Sequence, residues 1–182
     1  MNLKEFRQWQ QKTLVGVSIK VAAPTGQYDP TRLINAGGNR WVIKPEIGVS
    51  RRRGHWIVDA YTSVSFFTDN PDFFSRNQYS STTNLKSQKP IAGFEGHLSY
   101  DVRPRFWISF DGNYWHGGAT SLNDVENPAT VQSNSRIGAT ASIPINRHQS
   151  VKCSYNRGAY VRFGGAFQNL SVAWQYSWIG KP

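Results

Sequence analysis

The sequence has little of what staples or metallates a small protein. One cysteine, Cys153, occurs in 182 residues, so neither an internal disulfide framework nor a cysteine-based zinc site can form. Four histidines, His55, His97, His116 and His148, lie in different segments without the spacing of a metal-binding pair. There is no G-x-S-x-G elbow, and the glycines of PTG and AGG follow no phosphate-loop pattern. No catalytic constellation, metal site or cofactor motif is therefore expected. Long apolar runs are missing too. No segment approaches the ~20 apolar residues of a membrane helix, which excludes a helical membrane protein but not a β-barrel, whose strands alternate. Residues 1–13, MNLKEFRQWQQKT, are polar and lack the apolar stretch of a secretory signal.

Acidic residues are scarce as well. Eleven Asp and Glu stand against 21 Lys and Arg, a formal charge of +10, which raises nucleic acid as a partner. The positives Arg51, Arg52, Arg53, Arg103, Arg105, Arg147 and Arg157 fall at turns and loops rather than along one stripe. That distribution argues against nucleic acid and suits phosphate-bearing lipid head groups.

What the chain does have is alternation. In WVIKPEIGVS, Trp41, Ile43, Pro45, Ile47 and Val49 share one parity, and Lys44, Glu46, Gly48 and Ser50 the other. After the turn at RRRG, Trp56, Val58, Ala60, Val64 and Phe66 oppose Asp59, Tyr61, Ser63 and Ser65. Side chains of a strand point alternately to opposite faces, so each run has an apolar and a polar face. Val42, Ile57 and Trp107 are exceptions. Similar runs cover Leu14–Ala23, Ala92–Asp101, Phe106–Tyr114, Arg136–Ile143, Val151–Asn156 and Asn169–Trp178. The pattern predicts about eight strands, with short turns alternating with long polar loops, as in outer-membrane barrels.

Charges sharpen this expectation. Lys20, Lys44, Glu46, Asp59, Glu95, Asp101, Asp111, Arg136 and Lys152 all take the polar parity, and Arg157 is assigned to a loop. A lipid-facing Arg or Lys at the membrane midplane costs about 2–4 kcal/mol, so lipid exposure would demand such segregation. Large aromatics at run ends would form interfacial girdles: Trp41, Trp56, Phe66, Tyr100, Phe106, Tyr114, Trp174, Tyr176 and Trp178. A soluble lipocalin-like barrel that binds a small molecule would use the same parity with its apolar face inward. Alternation does not distinguish inside from outside.

The words APTGQYDPTRLINAGGNRWVIKPEIGVS, FFTDN, YWHGG, NSRIG, SYNRGAYVRFG and WQYSW resemble the outer-membrane family associated with the meta-pathway of phenol degradation. The resemblance spans nearly the whole chain, including EFRQWQQKT. It implies an antiparallel, up-and-down transmembrane β-barrel in the outer membrane and a channel for uptake of aromatic or other hydrophobic molecules; that the chain is no enzyme is expected from the missing catalytic constellation. Its partners would be outer-membrane lipid, such a small molecule and the barrel assembly machinery. Family members extend further at the N-terminus, so the expectation is the C-terminal part of a barrel of about twelve strands. The alternative is eight strands closing on themselves.

Within that reading, residues 1–12 form a leader with a short amphipathic helix (Leu3, Phe6, Trp9), and residues 13–182 the barrel. Both ends of the barrel domain then lie on the periplasmic side, and Tyr176 and Trp178 resemble a terminal assembly signal. The candidate lumen-lining residues are Lys20, Lys44, Glu46, Asp59, Tyr61, Glu95, Asp111 and Arg136. The same groups could instead close the lumen as a salt-bridge ladder, for example Lys44 and Glu46 with Asp59. Glu95, His97, Asp101 and Asp111 come closest to an acid–base grouping.

Overall fold

The structure is a computed structural model in which residues 12–178 are described. Its strands are β1 (Thr13–Ala22), β2 (Val42–Arg53), β3 (Trp56–Phe67), β4 (Lys86–Gln88), β5 (Ile91–Arg103), β6 (Phe106–Gly117), β7 (Thr120–Leu122), β8 (Val125–Asn127), β9 (Gln132–Pro144), β10 (Gln149–Val161) and β11 (Gln168–Tyr176). The only helical element among the described residues is a 3-10 turn, Pro128–Thr130. The expected leader helix lies outside the described residues.

The eight long strands make one antiparallel sheet in the order β1-β2-β3-β5-β6-β9-β10-β11, each beside its chain neighbour. Short turns close one end. Gly54, with φ of 60°, supplies the left-handed position between β2 and β3. Long segments connect the other end. Two of them, expected as plain loops, contribute β4, β7 and β8 to a small second sheet. Residues 23–41 pack beside it through Asn70, which is 2% exposed. Its amide donates to the Tyr28 hydroxyl (2.8 Å) and accepts from Asn39 (3.0 Å).

The sheet does not close: among the described residues β1 pairs only with β2 and β11 only with β10. Closure of these eight strands on themselves is therefore not found, and both edge strands are exposed along their whole length.

Burial is inverted relative to a water-soluble sheet. The one buried hydrophobic side chain among the described residues is Ala119, whereas Ser63, Ser109, Ser142 and Asn134 are buried. On the opposite face Val17 is 79% exposed and Phe110 58%. The polar parity thus faces the more enclosed, concave side, and the apolar parity faces out.

Two sequence assignments change. Arg157 lies inside β10, opposite Ile137 and Gln168, not in a loop. It is exposed on the apolar face, four residues before the end of β10. There the strand continues beyond the alternating run, and a long side chain can reach polar surroundings. Arg51, Arg52, Arg53 and Arg103, expected in turns, are the last residues of β2 and β5, because the ladders continue to the Arg53–Trp56 and Arg103–Phe106 pairs.

Candidate functional site

The concave face carries the polar parity of eight consecutive strands, so residues far apart in sequence become lateral neighbours. Asp59 stands opposite His97, Tyr61 opposite Glu95, His97 opposite Asp111, and Asn113 opposite Arg136. Two adjoining recesses of about 360 and 430 Å³ share Glu95, Asn113 and Arg136 as walls.

His97 is the centre of this face. Its Nδ1 is 2.7 Å from Asp111 Oδ1, and its Nε2 is 2.9 Å from Glu95 Oε1. Toward an ionised carboxylate an imidazole nitrogen can only donate, so making both contacts at once would call for the imidazolium. Asp111 also accepts from the Ser109 hydroxyl (2.8 Å) and the Thr140 hydroxyl (2.7 Å). The Tyr61 ring meets His97 edge-on, with centroids 6.0 Å apart. Tyr61 in turn lies over Gly48, where a Cβ would come within 2.2 Å of the ring.

A second cluster lies toward β1. Glu46 takes Lys44 at 3.2 Å and Lys20 at 3.6 Å, and Lys20 and Lys44 face each other across the β1–β2 ladder. The anion between them offsets their repulsion. Toward β9, the Arg136 guanidinium stacks 3.6 Å from the Phe167 ring centroid.

All eight expected lining residues therefore take the concave parity. The structure joins Lys20, Lys44 and Glu46 in one cluster, and Glu95 with Asp111 through His97. It does not join Glu46 to Asp59: Glu46 faces Ser63 across β3, and Asp59 faces Ser50 and His97. The register separates them, so the expected ladder of Lys44 and Glu46 with Asp59 is not formed. Sequence reasoning left His97, Ser109, Asn113, Thr140 and Lys152 out of the lining set. Their parity marked all of them; their chemical partners only appear across strands. Asp101 ends up at the turn side, paired to Arg52 at 2.7 Å.

The large aromatics occupy two levels. Trp56, Tyr100, Phe106, Trp174, Tyr176 and Trp178 lie toward the short turns, and Trp41, Phe66 and Tyr114 toward the long loops. Trp56 and Tyr100 pack at 4.8 Å, and Trp174, Tyr176 and Trp178 follow one another at 6.1 and 5.8 Å. Phe66 stands ten positions after Trp56 along β3. At about 3.3 Å per residue and a tilt of about 40°, this spans about 25 Å, the height of a barrel's apolar band.

A family profile described as "Putative MetA-pathway of phenol degradation" matches residues 6–175. The chain belongs to that family. Among solved structures, the chain is similar to the crystal structure of an outer membrane channel from Pseudomonas putida F1, at 21% identity and a TM-score of 0.77. The superposition covers 90% of this chain and 59% of the channel, so the chain spans about three fifths of that protein's length. The likeness is one of fold, an antiparallel sheet of the channel's kind. No curated protein matches the chain.

Proposed function

We propose that the chain forms part of an outer-membrane β-barrel channel for aromatic or other hydrophobic small molecules. One observation carries this reading: the apolar parity is exposed while the polar parity is enclosed. A lipocalin-like barrel would need the opposite, an apolar interior holding the ligand. Lipid supplies the missing cover for Val17, Ile47, Phe94 and Phe110, and the two aromatic levels suit its interfaces.

Lys20, Lys44, Glu46, Asp59, Tyr61, Glu95, Asp111 and Arg136 would then line the lumen. Open strand edges carry unpaired backbone groups that hydrocarbon cannot satisfy, so β1 and β11 require further strands. A larger barrel of about twelve strands meets that need. The short turns would face the periplasm, and the aromatic end of β11 would engage the assembly machinery. The phenol-degradation family and the likeness to a channel both support this assignment.

Single-channel recording of the full-length protein in planar bilayers tests it. Discrete conductance is expected, with an ion selectivity that changes when Glu46→Gln and Asp59→Asn are combined. Absence of conductance from protein correctly folded in lipid would overturn the channel reading. Unchanged selectivity would remove these two carboxylates from the path.

A further inference from the structure

On the long-loop side, outside the sheet's concave face, a separate small cavity of about 150 Å³ lies between residues 23–41 and the β4 segment. Its walls include Tyr28, Leu33, Phe73 and Asn70, together with two cations, Arg40 and Lys86. The ion pairs of the long-loop side are Arg32–Asp29, Arg76–Asp72 and Lys89–Glu126. Neither Arg40 nor Lys86 belongs to an ion pair among the described residues.

The two cations are held there at a cost. Burial pushes the Arg40 guanidinium below its ordinary pKa. Burial also lowers that of Lys86, and the neighbouring positive charge of Arg40 lowers it further. Like charges brought together away from water favour an anion between them. The guanidinium is oriented by a 2.6 Å hydrogen bond from Nη2 to Gln88 and lies 4.6 Å from the Phe67 ring centroid. Its Nη1 is buried with no hydrogen-bond partner. The Lys86 ammonium lies 3.9 Å from the Phe73 ring centroid.

The cavity is also built rather than incidental. Asn70 fixes the Tyr28 hydroxyl, which donates to the backbone carbonyl of Asp72 at 3.1 Å. Backbone bonds of 2.8 Å in both directions between Asn70 and Lys86 hold the cationic wall against it.

We infer that this cavity is a binding site for a small aromatic carboxylate, with Arg40 and Lys86 taking the carboxylate and Tyr28, Leu33 and Phe73 the ring. A volume of about 150 Å³ is the size that holds one ring, and the mixed polar and apolar wall suits a ring that carries a charged group. Arg40 Nη2 already bonds Gln88 and Nη1 is closed off, so the guanidinium, like Lys86, acts on the carboxylate as a fixed positive charge at the cavity wall rather than as a bidentate fork. The site deepens the channel reading by naming a substrate class, and rests on that reading only for its biological use.

Isothermal titration calorimetry on the full-length protein in detergent tests the inference without requiring conduction. The probes are benzoate, toluene and inorganic phosphate, at neutral pH. Benzoate is expected to bind more tightly than either of the others. Arg40→Gln and Lys86→Gln should each weaken benzoate binding about ten- to hundredfold, the usual loss for a charge-assisted interaction. Leu33→Trp, at an exposed wall position, should weaken benzoate binding by filling the ring space with both cations intact. Phosphate binding as tightly as benzoate would overturn the inference in favour of a phosphate or lipid-headgroup site. Benzoate binding that is absent, or that all three folded variants retain, would overturn it outright. A conducting protein with no benzoate site would leave the channel reading standing, and a benzoate site on a non-conducting protein would do the reverse.

Discussion

The Tyr61 ring covers Gly48 on the neighbouring strand so closely that a Cβ on Gly48 would stand 2.2 Å from ring atom Cδ1. The glycine is what lets an aromatic ring lie down on the concave face, and the ring replaces the packing that a bare glycine lacks. Tyr61 thereby stays beside His97 and the central carboxylates. Gly48→Val should expel the ring and destabilise the sheet by about 1–3 kcal/mol, the usual cost of overpacking. Urea titration of the protein folded in vesicles would measure the loss, and Gly48→Val with Tyr61→Ala should recover part of it.

His97 separates Glu95 from Asp111. His97→Gln replaces a side chain that can carry a positive charge between two carboxylates with one that cannot, while keeping a polar donor of similar reach. If the concave face is the lumen, the variant should favour cations more strongly, seen as a shifted reversal potential in a salt gradient. An unshifted potential would place these groups off the ion path.

The two faces should respond oppositely to a new charge. Phe110→Arg, on the exposed apolar face of β6, should cost about 2–4 kcal/mol of folding free energy in bilayers. Ser154→Arg, on the concave face of β10, should cost far less. Equal penalties would mean that the apolar face does not meet lipid.

Asn70 makes four side-chain hydrogen bonds, to Tyr28, Gly38, Asn39 and the amide of Asp72. Asn70→Ala leaves several of those groups unpaired, at about 1–3 kcal/mol for a buried group. The damage should stay in the loop layer: limited proteolysis should cut within residues 23–41, while heat-modified gel mobility stays that of the unsubstituted protein.

Asp29 organises the same loop at its exposed side. Its carboxylate accepts from the Thr31 hydroxyl (2.7 Å) and amide (2.9 Å), and these bonds hold its pKa below the ordinary carboxylate value. A carboxylate lowered in the folded state binds protons more readily when unfolded. Its support for the loop is therefore complete above the unfolded pKa and is lost as pH falls through the folded one. Hydrogen exchange at the Thr31 amide should accelerate under acid, beyond the intrinsic change, and should do so less in Asp29→Asn.

Much of this was legible along the chain. Alternation with few exceptions marks the long strands, since a side chain's face depends only on residue parity. Turn residues and polar loops mark which strands are hairpin partners, and the charges mark the polar face. The family words in the loops and strands mark the lineage. Partners across strands were not legible. Asp59 and Glu46 share a parity, yet the register sets Glu46 beside Ser63 and Asp59 beside His97. The short strands β4, β7 and β8 are three residues each, too brief for a periodic signal. Arg157 reads as a loop residue because nothing in its neighbours' parity requires the strand to continue. Above all, period two defines two faces and does not say which is enclosed. That depends on how the whole sheet curves, and curvature is a property of eight strands packed together, which only the tertiary structure decides.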